Sequence, residues 1–364
     1  MPIALVTNYI PPYRAPLYRL LGELYGVEVF CFGGEAGYVA DHHRRLEHQV
    51  AEASFPAHVL RHQREAGGLG RDHDAVIAAL TGRVALPAAW LGARRARTPF
   101  VLWASLWRHP RTAAHALSFP LMRRMYRRAD AVVTYGAHVS SYVARPRGSE
   151  RNVFVAPQAV EADLFGARVE EAEQAAWRSA AGIPDGAPLV LYVGRLVPEK
   201  GVETLLAAWR AVRREGEVLC LAGEGPLRGR DAGAQVVYPG HVERASLPFA
   251  YAAADAVVVP SLDTPAFLEP WGLVCNEALH QGRAIVATTA VGAVAGGRVR
   301  DGETGLVVPP IYPARLGAAI RTLLDDPGLR ERLGDSGRTE VASYSYEAAA
   351  HGFGEALRAV GAVE

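Results

Sequence analysis

Residues 189–212 read LVLYVGRLVPEKGVETLLAAWRAV. Five apolar residues lead into a loop bounded by Gly194 and Gly201, after which apolar residues recur at helical spacing. A buried strand, a short loop and a covering helix form the repeating unit of a parallel sheet with helices on both faces. The alternation recurs along the chain. In the first half it predicts strands at 3–7, 27–32, 100–104 and 131–134, with helices near 15–24, 81–94 and 112–128. In the second half it predicts strands at 189–193, 218–222, 236–238, 256–259 and 284–288, with helices near 202–213, 247–253, 273–280 and 313–324. The fold class is therefore α/β, with two Rossmann-like domains. Residues 1–165 form the first, 166–187 a connection rich in turn formers, and 188–345 the second. Residues 346–364 carry Phe353, Leu357 and Val360 on one side of a terminal helix, which needs a surface to pack on.

Composition narrows the class further. At 364 residues, 50% hydrophobic and 21% charged, the chain suits two buried cores, and it has no apolar run long enough for a spanning helix. The start, MPIALVTNYIPPYR, lacks the basic and small-residue features of a secretory signal, so a cytoplasmic location is expected. Cys31, Cys220 and Cys275 sit in apolar runs without C-x-x-C spacing, which fits reduced core thiols and neither a disulfide frame nor a zinc site. The net charge of +1 conceals an asymmetry. Residues 1–150 hold 19 Arg against 11 acidic residues, and the remainder holds 20 basic residues against 27 acidic ones. Lys200 is the sole lysine of the chain.

Ligands of open parallel sheets bind beyond the carboxyl ends of the strands, so unusual residues just after strands are the candidates. Gly194 permits a tight turn, and Arg195 and Lys200 flank a loop from which two cations reach one anionic group near a helix start. Gly223-Glu224-Gly225-Pro226 is a turn signal after the next strand and lacks the glycine spacing of a nicotinamide-dinucleotide fingerprint. Residues 261–282, SLDTPAFLEPWGLVCNEALHQG, run through a loop into a helix at about Gly272. There the amides of Gly272, Leu273 and Val274 are available to an anion. Glu269 and Glu277 stand eight positions apart in an apolar frame, with no basic residue between them. Such carboxylates need hydrogen-bond donors, and sugar hydroxyls are donors of that kind. On spacing alone, a capping Glu269 and a solvated Glu277 remain an equal reading.

Taken in order, GRLVPEKG, GEGP, Gly240-His241-Val242, EPWGLVCNEAL, GRAIVATTAVG and DGETGLVVPP resemble the family 4 retaining glycosyltransferases of the GT-B fold over about residues 188–325. The resemblance implies two Rossmann-like domains facing a cleft, with a C-terminal helix crossing back to the first. It implies that Arg195 and Lys200 hold the diphosphate of a nucleotide-sugar donor and that Glu277 binds its ribose. Glu269 contacts the transferred sugar, and Gly194, Gly223, Gly225 and the Gly272–Val274 amides line the donor site. The one Asp-x-Asp spacing, Asp72-His73-Asp74, lies in the first half and outside the motifs that carry the resemblance, so neither a metal nor a cofactor is expected beyond the donor. Retention in the family is described as a front-face reaction, so Glu269 positions and polarises the sugar without attacking it.

The first half departs from the family pattern. In place of a Gly-Gly loop it has Asn8–Arg14, and after the strand at 100–104 it has Trp103 to Pro110; Gln158-Ala159 replaces the usual Asn-Gly. Tyr9, Tyr13, Arg14, Trp103, Trp107 and His109 are candidates for an acceptor surface, since aromatic faces stack on sugars and Arg bonds anions. A core role for the two tryptophans is the equal alternative. Residues 119–130, FPLMRRMYRRAD, place Arg123, Arg124, Arg127 and Arg128 beside apolar residues. This suits either a helix lying on an anionic membrane or one packing Leu121, Met122 and Met125 into the sheet. No nucleic-acid motif accompanies the basic half. The expected activity is metal-independent transfer of a sugar from a nucleotide diphosphate sugar to a hydroxyl acceptor. That acceptor is a glycan or lipid-linked glycan of a surface polysaccharide, or else a small natural product. A non-catalytic nucleotide-sugar-binding subunit is the alternative of another class, and loss of one of Arg195, Lys200, Glu269 or Glu277 would favour it; all four are present.

Overall fold

The computed structural model describes residues 2–33, 42–230 and 235–364. The chain divides into two compact units, one of residues 1–109, 113–159 and 345–364, the other of residues 110–112 and 160–344. The first holds a seven-stranded sheet of β1 (Ile3–Thr7), β2 (Val27–Cys31), β3 (Ala57–Val59), β4 (Ala75–Ala79), β5 (Phe100–Ala104), β6 (Ala131–Thr134) and β7 (Val153–Val155), in the order β3-β2-β1-β4-β5-β6-β7. The second holds β8 (Leu189–Val193), β9 (Val218–Ala222), β10 (Val236–Gly240), β11 (Ala256–Val259), β12 (Ile285–Thr288) and β13 (Leu306–Val308), in the order β10-β9-β8-β11-β12-β13. Every pairing in both sheets is parallel.

Burial explains the composition of these strands. All residues of β1, β4 and β5 are buried, as are those of β9, β11 and β12, and such strands read as continuous apolar runs. The helix Val202–Val212 covers the second sheet with Leu205, Leu206 and Trp209, none more than 2% exposed. In each sheet the chain begins near the centre, moves to one edge and returns to pair a later strand with its first. β1 therefore lies beside β4, and β8 beside β11. The loops leaving such neighbours diverge to opposite faces, which opens a crevice at that point.

Two features differ from expectation. Residues 75–79, AVIAA, form a strand, although three alanines lean toward a helix; tertiary pairing with β1 and β5 overrides that preference. The connection at 166–187 contains the helix Glu171–Ala180, started by a reciprocal capping box between Glu170 and Glu173. The three-residue strands β3, β7 and β13 are too short to show a period.

The terminal helix Tyr346–Ala359 belongs to the first unit, where it packs on the helix Ala15–Tyr25 and on β6 and β7. Phe353 is fully buried and meets Trp103 edge-on, with ring centroids 5.1 Å apart at 78°. Gly352 lies so close to β7 that an added Cβ would come within 2.1 Å of the Val155 carbonyl oxygen. Phe353→Ala should destabilise the first unit by about 3–5 kcal/mol. Urea unfolding followed by tryptophan fluorescence reads this directly, and a loss below about 1 kcal/mol would contradict the packing role.

Candidate functional site

In the second unit the loops after β8, β9 and β11 meet at the crevice beside β8 and β11. The first is residues 194–200, ending in a short 3-10 turn, Pro198–Lys200, before Gly201 opens the covering helix at φ 76°. Backbone bonds lock this loop to the second: Gly194 N–H donates to the Ala222 carbonyl at 3.0 Å, and Leu196 N–H to that of Glu224 at 2.8 Å. The glycines of the second loop serve this approach. A Cβ on Gly223 would stand 1.9 Å from the Gly194 carbonyl oxygen, and one on Gly225 would stand 2.4 Å from that of Leu196. The third loop joins through Leu262 N–H, which donates to the Glu199 carbonyl at 2.9 Å.

These contacts bring the singled-out residues together. The Lys200 ammonium ion-pairs with Glu269, whose carboxylate also accepts from the Ser261 hydroxyl at 3.0 Å. The Phe267 ring lies beneath the ammonium, 5.3 Å from centroid to Nζ. Glu269 is 8% exposed, so its charge is held by partners and not by water. Glu277, 7% exposed, accepts from the Tyr251 hydroxyl at 2.5 Å. Burial holds its carboxyl above the usual range, against the Tyr251 bond and the nearby Arg244 cation, both of which lower it. Burial also raises the Tyr251 phenol, with the Glu277 charge adding to that effect. Both carboxylates thus receive protein donors, where the sequence pointed to ligand hydroxyls. The capped-and-solvated reading of the pair does not hold for Glu277.

Gly272, at φ 91°, precedes the helix Leu273–His280, so the amides of Gly272, Leu273 and Val274 lie at that helix start, three to five positions past Glu269. Arg195 takes a different place from Lys200: its side chain is 45% exposed and lies 3.7 Å from Glu199. Ser261, Tyr251 and Arg244 belong to the site but were not predicted from the sequence. Ser261 carried a signal, as a hydroxyl two residues after a buried strand; Tyr251 and Arg244 come from other elements and had none. Arg244 forms an ion pair with Glu161 at 3.2 Å.

In the first unit Tyr9, Tyr13, Arg14 and Trp103 line one cavity of about 180 Å³, while His109 lines a second of about 390 Å³. Trp103 is 2% exposed and packs edge-on against Tyr18, Tyr135 and Phe353, so it is a core residue and not an open stacking platform. Trp107 meets His138 edge-on at 5.6 Å. The helix Ala113–Arg128 buries Met125 and Tyr126 but leaves Leu117 85% and Leu121 40% exposed beside its four arginines. The expected inward packing of Leu121 is therefore absent. The three cysteines are buried thiols, and burial pushes Cys31 and Cys220 up to about 12. Among the described residues no three His, Cys, Asp or Glu side chains gather as metal ligands would, and no helix is long and apolar enough to cross a membrane.

Residues 173–340, which contain every residue of the Lys200–Glu269–Glu277 cluster, match the family described as Glycosyl transferases group 1. The second unit belongs to the group 1 glycosyl transferases. The chain matches the alpha-D-kanosaminyltransferase of Streptomyces kanamyceticus with 33% identity over 55% of its own length and 52% of that one. The GDP-mannose-dependent alpha-(1-6)-phosphatidylinositol monomannoside mannosyltransferase of Mycobacterium tuberculosis is 28% identical over 94% of each chain. The chain spans about half the length of several curated relatives it matches. Among solved structures, Anabaena HepE in complex with UDP superposes with a TM-score of 0.79 at 18% identity, covering 98% of this chain and all of that one. The fold is GT-B.

The glycine contacts in this glycosyl transferase domain give a direct check. Gly223→Ala should cost more than about 2 kcal/mol, since both φ 151° and the 1.9 Å approach oppose a side chain. The measurement is the urea midpoint of the second unit's transition, and an unchanged midpoint would show that the two loops do not press together as described.

Proposed function

We propose that this chain is a retaining glycosyltransferase that moves a sugar from a nucleoside diphosphate sugar to a hydroxyl acceptor. The observation that carries the reading is the Lys200–Glu269–Ser261 cluster beside a helix start, at the crevice of a group 1 glycosyl transferase domain. The printed names of the relatives, a GDP-mannose-dependent mannosyltransferase and a kanosaminyltransferase, and a neighbouring structure holding UDP support that class of donor.

The roles follow from donor counts and charge. An ammonium has three N–H groups, so Lys200 keeps Glu269 and still offers donors to a diphosphate. Arg195, the more exposed cation, swings onto the same diphosphate, and the Gly272, Leu273 and Val274 amides add the helix-start field. Glu269, fixed by Lys200 and Ser261, positions and polarises the transferred sugar through one of its hydroxyls. Glu277, fixed by Tyr251, accepts from the ribose. As the bond from the anomeric carbon to the phosphate oxygen breaks, charge grows on the diphosphate, and these preorganised donors stabilise it. The acceptor oxygen bonds the anomeric carbon on the face the diphosphate leaves, and its proton passes to the departing phosphate oxygen. With two cations and a helix start supplying the charge, turnover needs no divalent metal.

The acceptor is a glycan or lipid-linked glycan, met at the cytoplasmic face of a membrane. Leu117, Leu121 and the exposed Arg123, Arg124, Arg127 and Arg128 support membrane contact, as an apolar and basic surface suits anionic lipid. Lys200→Ala should lower kcat by about 10²–10³-fold, with EDTA leaving wild-type turnover unchanged. Initial rates with a nucleotide-sugar panel test both, and unchanged kinetics in Lys200→Ala would remove the diphosphate role. Glu277→Gln should weaken nucleoside diphosphate binding about tenfold while leaving the melting temperature near wild type. Calorimetry showing unaltered affinity would reject the ribose contact.

A further inference from the structure

The crevice of the first sheet carries a cation as well, in a setting unlike that of Lys200. The cavity of about 180 Å³ lies where β1 neighbours β4, and the loops after β1, β4 and β5 supply Arg14, Thr81 and Ser105 to its wall. The Arg14 guanidinium sits 4.5 Å from the Trp103 ring centroid, 5.6 Å from that of Tyr13 and 5.8 Å from that of Tyr135, and it donates to the Tyr135 hydroxyl. Its Nε is buried without a hydrogen-bond partner, and among the described residues no carboxylate pairs with it. The titratable groups facing it are phenols. Burial raises Tyr135, and it raises Tyr18 to about 12, so neither supplies a negative charge near neutral pH.

An arginine stays charged in any protein setting. Aromatic faces offset part of the cost of sheltering that charge but leave its directional N–H donors underused. Lys200 has Glu269; among the described residues Arg14 has no counterpart of that kind. A countercharge from a ligand completes the arrangement, with the planar guanidinium taking two oxygens and the Thr81 and Ser105 hydroxyls lining the same cavity.

We propose that this cavity is an oxyanion subsite, and that the acceptor carries a phosphate or carboxylate group that docks on Arg14. The proposal rests on the reading of the first unit as the acceptor-binding half of a glycosyltransferase. It predicts that neutral acceptors bind more weakly than anionic ones of the same body.

The test is titration of the full chain with inorganic phosphate, and separately with acetate, at ionic strength fixed by sodium chloride. Calorimetry and the quenching of Trp103 fluorescence are the readouts, with Trp103→Phe used to assign the optical signal. Because phosphate also suits the donor site, the titrations are run in Lys200→Ala, where that site is weakened. Phosphate binding should persist in Lys200→Ala, weaken at least tenfold when Arg14→Met is added, and recover in part with Arg14→Lys. Ser105→Asp, which places a carboxylate in the cavity without removing the stacked guanidinium, should abolish binding even if Arg14→Met folds poorly. Phosphate stronger than acetate assigns a phosphate-bearing acceptor, and the reverse assigns a carboxylate. Absence of binding in Lys200→Ala, or equal binding with and without Arg14→Met and Ser105→Asp, would overturn the proposal. Nucleoside diphosphate titrations of Arg14→Met, with Lys200 intact, separate the two claims: they fail only if the donor reading fails.

Discussion

The pairing of Lys200 with Glu269 is the constraint on which the rest of the site depends. It ties the loop after β8 to the loop after β11 at the point where neighbouring strands send their chains to opposite faces. A largely buried ion pair gains little stability by itself, because both charges leave water, and either partner alone would be costly. Its value lies in position. With Ser261 completing the carboxylate, the pair holds a cation with three N–H donors and a fixed carboxylate close to a helix start.

The surrounding fold supplies the rigidity this needs. β8, β9 and β11 are buried strands, so their ends cannot shift without disturbing a packed core. The loops are pressed together through backbone contacts that admit only glycine at 223 and 225. Glu277 sits on the helix that begins at Leu273, and Tyr251 anchors it from a neighbouring helix. The two carboxylates are thereby set in different environments. Glu269 is paired with a cation, whereas Glu277 is held by a neutral phenol and lifted by burial. Arg14 gives the first sheet a partly buried cation of its own, sheltered by rings and, among the described residues, without the acidic partner that Lys200 has.

Much of this was legible in the sequence because it depends on local order. The apolar runs of β8 and β11, the glycine turns and the helix after Gly272 each leave a pattern within a dozen residues. The strand at 75–79 was hidden by its alanines, and the shortest strands had no period to read. Lys200 and Glu269 were both singled out, but their direct pairing was not, since 69 positions separate them and only the sheet order brings them together. Tyr251 and Arg244 were silent for the same reason. Trp103 was ambiguous because a tryptophan at a strand end suits either a core or a sugar; the edge-on rings of Tyr18, Tyr135 and Phe353 place it in the core.

The central claim is that the cluster around Lys200 and Glu269 receives a nucleoside diphosphate. Calorimetric titration of the wild-type chain with UDP, GDP, ADP and dTDP, each with and without EDTA, tests it most directly. The account predicts saturable one-to-one binding of at least one diphosphate, stronger than that of the matching monophosphate and unaffected by EDTA. Absence of binding by all four, or equal affinity for monophosphate and diphosphate, would contradict it.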